Sequence, residues 1–231
     1  MNKSVIIIMG SPGSGKGTQA EIISAKFGYY YLESSKIIDA KLANIKEGDF
    51  EVVDGKKYSL FEQRDLRHSG GIMSTELVAF WMMEKMKGLA KEGKKMVIAG
   101  SPRTPYEAKK EMPLLGKSYG KENIITILIT LSEEEATFRS VHRRICSLVR
   151  HPILYYEETK NLKICPLDGS ELIERKDDNV DAIKIRMERY REQTLPLLEY
   201  LKKEGYLVKE VAGKQTPAEL HEDILKVLED D

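Results

Sequence analysis

Apolar residues in this chain fall into short unbroken runs separated by longer stretches of mixed polarity. The first run reads Val-Ile-Ile-Ile-Met and is too short for a helix core. Continuous runs of this length are typical of strands buried on both faces, as in parallel sheets. The runs lie at 5–9, 29–32, 95–100, 124–129 and 206–211. The pattern predicts an α/β fold with a parallel sheet covered by helices.

Helical patterns occupy several of the intervening stretches. They run over 19–27, from 34 to about 46, and from 74 to about 92, with Ser74 as the predicted N-cap of the last. Residues 47–59 are polar and are predicted to form a loop. Two segments, about 33–73 and about 146–174, interrupt the alternation of strands and helices. We expect both to be insertions above the carboxyl edge of the sheet, where α/β proteins bind ligands.

A glycine-rich segment follows the first apolar run directly. Residues 10–18 read Gly-Ser-Pro-Gly-Ser-Gly-Lys-Gly-Thr and precede a helical pattern, which is the context of a phosphate-binding P-loop. Glycines let backbone N–H groups surround an anion, and the helix N-terminus adds positive potential. Lys16 would approach the β- and γ-phosphates, and the Thr18 hydroxyl would lie near a magnesium ion. The flanking strand and helix argue against a turn that merely connects them.

Composition narrows the classes of partner. Thirty-seven basic residues balance 37 acidic ones among 231, and no polybasic arm occurs. We therefore expect neither nucleic acid nor a membrane as a partner, and we expect a monomer. The first apolar run is too short for a signal peptide or a membrane span. The chain carries two cysteines, Cys146 and Cys165. These features predict a cytoplasmic protein with reduced thiols.

Several motifs in register resemble those of adenylate kinases, which belong to the nucleoside monophosphate kinase family. Residues 10–19 match the family's form of the P-loop, and residues 100–104, Gly-Ser-Pro-Arg-Thr, resemble its Gly-Phe-Pro-Arg-Thr. Arg139-x-x-x-Arg143 matches the start of the family's lid, and residues 175–178, Arg-Lys-Asp-Asp, match its end. Arg186 follows at the family's spacing. The resemblance covers almost the whole chain.

The resemblance implies an α/β P-loop protein of three parts. A three-layer core with a parallel sheet would comprise residues 1–32, 74–145 and 175–231. An arm that binds the nucleoside monophosphate would span 33–73, and a lid over the donor would span 146–174. The implied reaction transfers the γ-phosphoryl group from ATP to a nucleoside monophosphate, with Mg²⁺ as the ion. Fixed cations suit a loose transition state whose charge is spread over phosphoryl oxygens.

The resemblance also assigns roles to individual residues. Taken singly, each arginine could be a solvated surface charge, and only its position in a motif gives it a role. The implied catalytic residues are Lys16, Arg103, Arg143, Arg175 and Arg186. The implied ATP-binding residues are Gly13, Ser14, Gly15, Lys16, Gly17, Thr18, Arg139, which would stack on the donor base, and Gln215. The implied acceptor-binding residues are Ser34, Lys36, Met73, Gly100, Arg103 and Glu107.

The acceptor arm departs from the family's pattern. The family carries Ser-Thr-Gly-Asp-x-x-Arg, whereas residues 33–39 read Glu-Ser-Ser-Lys-Ile-Ile-Asp. The acid and the base have exchanged places, and Lys36 and Asp39 are one helical turn apart. Lys36 could bind the acceptor phosphate in place of the missing arginine, as a point charge rather than a fork. Alternatively, Lys36 and Asp39 form an ordinary surface pair, and the sequence leaves both possibilities open.

Three further departures lie close to the Pro-Arg-Thr motif. Glu107 stands where the family has glutamine, and a carboxylate only accepts hydrogen bonds, which suits a base with N–H donors such as guanine. Tyr106 beside it could stack on a base or simply pack. Ala99 replaces an acid that helps to organise magnesium-bound water, which weakens the magnesium shell. Ser101 replaces a phenylalanine in the wall of the acceptor pocket.

The lid retains part of a zinc motif. Many lids of this family bind structural zinc through two Cys-x-x-Cys pairs, or through one such pair and Cys-x-x-Asp. Here Val149 replaces the second cysteine, so Cys146, Cys165 and Asp168 give three ligands, with His151 near enough in sequence to be a fourth. Structural zinc requires four. We therefore do not expect zinc in this lid; the two thiols would instead pack with Val149 and Tyr155.

Three classes of function remain open from the sequence. The first is an active nucleoside monophosphate kinase whose acceptor base is open and could be other than adenine. The second is a nucleotide-binding regulator of the same fold with weakened transfer, which Ala99 and Asp39 motivate. The third is a kinase for another small phosphate acceptor. The retained arginines favour an enzyme, because a protein that only binds nucleotide needs fewer cations at the transfer site.

Overall fold

A computed structural model describes residues 2–69, 71, 73–150, 152–155, 157–174 and 180–229 of the chain. Its strands are β1 (Val5–Gly10), β2 (Tyr30–Glu33), β3 (Phe50–Val53), β4 (Lys56–Ser59), β5 (Met96–Ala99), β6 (Ile124–Thr130), β7 (Arg144–Cys146), β8 (Pro152–Ile153), β9 (Leu172–Glu174) and β10 (Leu207–Ala212).

The helices of the described residues lie between and after these strands. They are α1 (Lys16–Phe27), α2 (Ser34–Leu42), α3 (Leu60–His68), α4 (Thr75–Lys91), α5 (Pro105–Tyr119), α6 (Glu133–Val141), α7 (Val180–Arg189), α8 (Leu195–Lys203) and α9 (Pro217–Glu229). A short 3-10 turn (Lys121–Asn123) precedes β6, and a π-helical turn (Tyr190–Thr194) joins α7 to α8. Among the described residues, no helix combines the length and apolar character needed to cross a membrane.

The central sheet is parallel, as the apolar runs predicted. Its strand order is β10-β6-β1-β5-β2. The inner strands are almost completely buried because helices cover both faces. Residues from α4, α5 and α8 pack on one face, whereas α1 and α9 pack on the other. The β1 strand lies between β5 and β6, which places the glycine-rich turn that follows it at the centre of the carboxyl edge.

The arm departs from its predicted structure in two places. The helix predicted from 34 to about 46 ends at Leu42. The prediction of a loop at 47–59 is wrong, because these residues contain the antiparallel hairpin of β3 and β4. Val53 and Tyr58 are buried against α4, while most of the hairpin faces solvent and is therefore polar. The Asp54-Gly55 turn, with φ of 51° and 79°, was the signal for a tight hairpin.

The lid segment forms a small sheet of its own. Its three strands have the order β8-β7-β9 and pair in antiparallel fashion. Cys146, Cys165 and Ile153 form a small buried cluster against Leu172. Val149 is 58% exposed and Tyr155 is 36% exposed, so the predicted packing of the thiols against these two residues is wrong.

Candidate active site

The P-loop closes tightly at the carboxyl end of β1. Gly13 and Gly15 have φ of 77° and 91°, which a side chain would strain. A Cβ on Gly13 would also lie only 2.6 Å from the Ala136 carbonyl oxygen and the Ser140 hydroxyl of α6. Ser14 is completely buried, and α1 begins at Lys16. Gly13 is therefore required by both backbone conformation and close packing, and Gly15 by backbone conformation.

Lys16 turns its amine back into the loop. Nζ donates to the carbonyl oxygens of Gly10 and Ser11 at 2.8 and 2.6 Å. Burial is the main reason that the pKa of Lys16 falls to about 7, and positive neighbours add to that effect. A polyphosphate in the loop would raise this pKa again, because its negative charge favours the ammonium form.

In the described part of the chain, three arginines supply positive charge around Lys16. Arg103 follows β5, Arg143 lies between α6 and the lid, and Arg186 lies on α7. The structure brings these residues of distant sequence position close enough to act electrostatically on Lys16. Arg175 lies outside the described residues. The arrangement can bind and neutralise several phosphoryl oxygens at once.

The predicted acceptor residues Ser34, Gly100 and Arg103 meet at the end of β5. The Ser34 hydroxyl donates to the Gly100 carbonyl oxygen at 3.0 Å and accepts from Arg103 Nη2 at 3.3 Å. Gly100 has φ of 85°, and a Cβ there would lie 2.7 Å from Arg103 Nη2. The Thr194 hydroxyl donates to the Arg103 carbonyl oxygen at 2.9 Å. Arg103 is exposed, so its guanidinium can reach a bound phosphate.

Glu107 lies in the first turn of α5 and is buried. The Thr104 side chain caps the helix by accepting from the Glu107 backbone N–H. In return the Glu107 carboxylate accepts from the backbone N–H of Arg103, an arrangement close to a capping box. Burial raises the pKa of Glu107, while the donors and the charge of Arg103 oppose that rise. The carboxylate is thus held against residues 100–104, the loop between β5 and α5, which we call the acceptor loop.

A second buried carboxyl one turn further along α5 was not identified from the sequence. Glu111 is completely buried, and its two carboxyl oxygens lie 2.7 and 2.9 Å from the Ser101 hydroxyl. Burial raises the pKa of Glu111 well above its ordinary value, and the charge of Glu107 adds to this. The burial of Glu111 could have been recognised from its helical spacing, which places it on the same face of α5 as the apolar residues Ala108 and Met112. Glu111 therefore holds its proton more strongly than Glu107.

Lys36 and Asp39 do not form the surface pair considered above. Lys36 Nζ lies 3.5 Å from a Glu33 carboxylate oxygen and 4.0 Å from one of Glu21. Asp39 Oδ1 instead accepts from Arg67 Nε at 3.2 Å. The other predicted arm residue, Met73, is half-buried and packs in the hydrophobic cluster of the arm. Direct contact of Lys36 with the acceptor phosphate stays a prediction.

The predicted donor residues Arg139 and Gln215 meet at the turn after β10. Arg139 Nη1 donates to the Gly213 carbonyl oxygen at 2.9 Å, and the Gln215 backbone N–H donates to the same oxygen at 3.0 Å. Glu135 accepts from Arg139 Nε at 2.7 Å, so the guanidinium is held on its helix. The remaining P-loop residues Gly17 and Thr18 lie in the first turn of α1. The residues predicted to bind the donor therefore extend from the P-loop to this turn.

The lid retains a compact trio of potential ligands, Cys146, Cys165 and Asp168, which we call the lid trio. Their ligand atoms all lie within 4.8 Å of one another. Hydrogen bonds from Ser170 and from Cys146 keep the pKa of Asp168 below its ordinary value. His151, the possible fourth ligand, lies outside the described residues. A three-ligand set is incomplete for structural zinc.

Comparison with known proteins identifies the family that shares this arrangement. The family model described as Adenylate kinase matches residues 8–206. An adenylate kinase of Caldicellulosiruptor saccharolyticus is 32% identical over 228 residues, covering 96% of this chain and 98% of the relative. One of Clostridium acetobutylicum is 33% identical over 227 residues, with coverage of 96% and 98%. One of Oceanobacillus iheyensis is 33% identical over 227 residues, with coverage of 97% and 98%.

Proposed function

This chain belongs to the adenylate kinase family, and we propose that its preferred acceptor is a purine monophosphate whose base presents N–H donors, as guanine does. The family assigns the general reaction, which is ATP-dependent phosphoryl transfer to a nucleoside monophosphate. Several residues around the acceptor loop differ from the family's pattern. The proposal therefore concerns the acceptor base and the roles of individual side chains.

The cationic residues provide the catalytic power in this proposal. Lys16 would bind the β- and γ-phosphates, and Arg103 would hold the acceptor phosphate in line with them. Arg143 and Arg186, together with Arg175, would neutralise the oxygens of the group in transfer. Such preorganised charges stabilise a transition state without rearranging, and this stabilisation commonly contributes more to the rate than any other single effect.

Magnesium, when bound, would neutralise charge on the β- and γ-phosphate oxygens. The donor set at the P-loop suits it, because Mg²⁺ takes oxygen ligands and keeps several water molecules. Thr18, in the first turn of α1, is the residue whose hydroxyl would bind the ion. The phosphates would provide the main ligands.

Glu107 carries the proposal for the acceptor base. Burial raises the pKa of Glu107, but the Arg103 backbone N–H and the Arg103 charge oppose that rise and favour the ionised carboxylate. Glu111, which lacks these donors, is the better holder of a proton. An ionised Glu107 can only accept hydrogen bonds, so it would oppose adenine N1 and favour the N–H edge of guanine. Two facing acceptors would disfavour adenine by about 1–3 kcal/mol.

AMP is the second candidate acceptor. The relatives that cover almost all of this chain are named adenylate kinase. In addition, Glu107 is buried and already bonded to the acceptor loop, so its carboxylate would need to use its remaining lone pairs for a base. If it does not, AMP would be accepted in the ordinary way.

Steady-state kinetics with ATP and AMP, GMP, CMP or UMP would test the proposal. We expect a higher kcat/KM for GMP than for AMP, and we expect Glu107→Gln to shift the ratio toward AMP by about tenfold. Lys109→Ala, an exposed change on the same helix, is the matched control. Efficient use of AMP together with an unchanged ratio in Glu107→Gln would contradict the proposal. Absence of turnover with every nucleotide would instead favour a nucleotide-binding regulator of the same fold.

A further inference from the structure

The strand register places an unassigned carboxylate beside the position where the family's magnesium-organising acid is missing. Glu33 ends β2, and its Cα is paired with that of Ala99 at the end of β5. Ala99 is in turn the partner of Ile8 in β1, two residues before the P-loop begins. Neighbouring strands lie about 4.8 Å apart. Glu33 is therefore one strand away from Ala99 at the same edge of the sheet.

The side chains of Glu33 and Ala99 also point to the same face. Paired residues of parallel strands share a face, and Ala99 belongs to the hydrophobic cluster that α1 covers. Tyr31, two residues before Glu33, packs against the same cluster. A Cβ on Gly17 of α1 would lie 3.4 Å from the Tyr31 hydroxyl. Glu33 thus lies on the face of the sheet where α1 carries Thr18.

The carboxylate of Glu33 is held in place but keeps capacity for another partner. Ser35 Oγ donates to its Oε1, Lys36 Nζ lies 3.5 Å from its Oε2, and the Tyr31 hydroxyl also hydrogen-bonds to this carboxylate. The side chain is 30% exposed, so solvent reaches it. An ionised carboxylate has about four acceptor positions. The contacts with Ser35, Lys36 and Tyr31 therefore leave about one acceptor position for hydrogen bonding by metal-bound water.

We propose that Glu33 is the positioning residue that accepts hydrogen bonds from water bound to the magnesium ion of the ATP complex, in place of the acid absent at Ala99. The glutamate side chain is one methylene longer than that of aspartate, which helps to bridge the distance of one strand. This inference rests on the proposed function in one respect, namely that the chain binds Mg·ATP. It does not depend on the acceptor base.

Calorimetric titration with a non-hydrolysable ATP analogue, with and without Mg²⁺, would test the role of Glu33 without turnover. We expect Glu33→Gln to leave the affinity for the metal-free analogue within about twofold of the parent's. The increase in affinity that Mg²⁺ provides, which we call the Mg²⁺ gain, should fall by about tenfold or more, as loss of an outer carboxylate commonly causes. Glu21→Gln is the matched control. Glu21 also contacts Lys36 but lies on α1 rather than beside Ala99, and its change should leave the gain unaltered.

A second-site change makes the test sharper. Introducing Ala99→Asp into the Glu33→Gln protein should restore most of the Mg²⁺ gain, because it returns a carboxylate to the adjacent strand. An unaltered gain in Glu33→Gln would overturn the inference. So would an equal loss in Glu33→Gln and Glu21→Gln, or a loss of metal-free affinity in Glu33→Gln, because either result would indicate a structural role. If the unmodified protein bound the analogue under neither condition, the proposed function itself would fail.

Discussion

Replacing Glu111 by glutamine should stabilise the folded protein at neutral pH. Glu111 is completely buried, and burial together with the charge of Glu107 raises its folded-state pKa well above 4.5. The folded protein therefore binds more protons than the unfolded chain in the pH range between those two pKa values. Stability is fully present below the unfolded pKa and is lost as pH rises toward the folded one. Glutamine carries no proton to release, so this loss should disappear.

The size of the effect follows from proton linkage. One proton corresponds to about 1.4 kcal/mol of unfolding free energy per pH unit. Over a rise of about 1.5 pH units within the window, the Glu111→Gln protein should gain up to about 2 kcal/mol over the parent. For a chain of this length, each kcal/mol raises Tm by about 2–4 °C. The amide can still hydrogen-bond to Ser101, whose hydroxyl lies 2.7 Å from a Glu111 oxygen.

Urea unfolding of both proteins at pH 5 to 8 would measure this difference. Glu199→Gln, an exposed change on another helix, is the control. Its plot of unfolding free energy against pH should stay nearly parallel to that of the parent. Glu107 is present in every protein compared, so its own titration contributes to all the curves. If the unfolding free energies of Glu111→Gln and the parent stay parallel across this range, Glu111 does not hold a proton in the folded state, and the reasoning is refuted.

Two further predictions concern the catalytic cations and the lid. Lys16→Met and Arg103→Ala should each lower turnover by several orders of magnitude, because each removes a preorganised phosphate-binding charge; steady-state turnover within a few-fold of the parent would exclude that role. The lid trio should carry substoichiometric zinc by elemental analysis, and a chelator should change the melting temperature little, since one ligand of four is missing. One tightly held zinc per chain would instead require a fourth donor.

Local sequence predicted the buried strands of the core and the turn of the P-loop well. The buried strands are unbroken apolar runs, and the P-loop is a contiguous motif whose glycines, lysine and threonine lie close together in the chain. Both signals depend on neighbours in the chain, so they are readable without a structure. The motif positions of Arg103, Arg143 and Arg186 were also readable, and the structure brings these residues near Lys16.

The arm hairpin was missed although its signal was local. Its exposed face made residues 47–59 polar, and polarity outweighed the Asp54-Gly55 turn in the prediction. Burial of Val53 and Tyr58 depends on α4, which lies elsewhere in the chain. Tertiary contact with α4 therefore adds to the local turn signal in fixing the structure of this segment.

The chemistry around the acceptor loop was decided only by tertiary structure. Sequence alone identified Glu107 and Ala99 as departures, but not the contacts that replace what was lost. Glu111 meets Ser101 because the loop after β5 folds back over the first turns of α5. Glu33 lies beside Ala99 because the strand order puts β2 next to β5, although 66 positions separate these residues. Strand order and register arise from packing the whole sheet, and no local pattern specifies which distant residues will become neighbours.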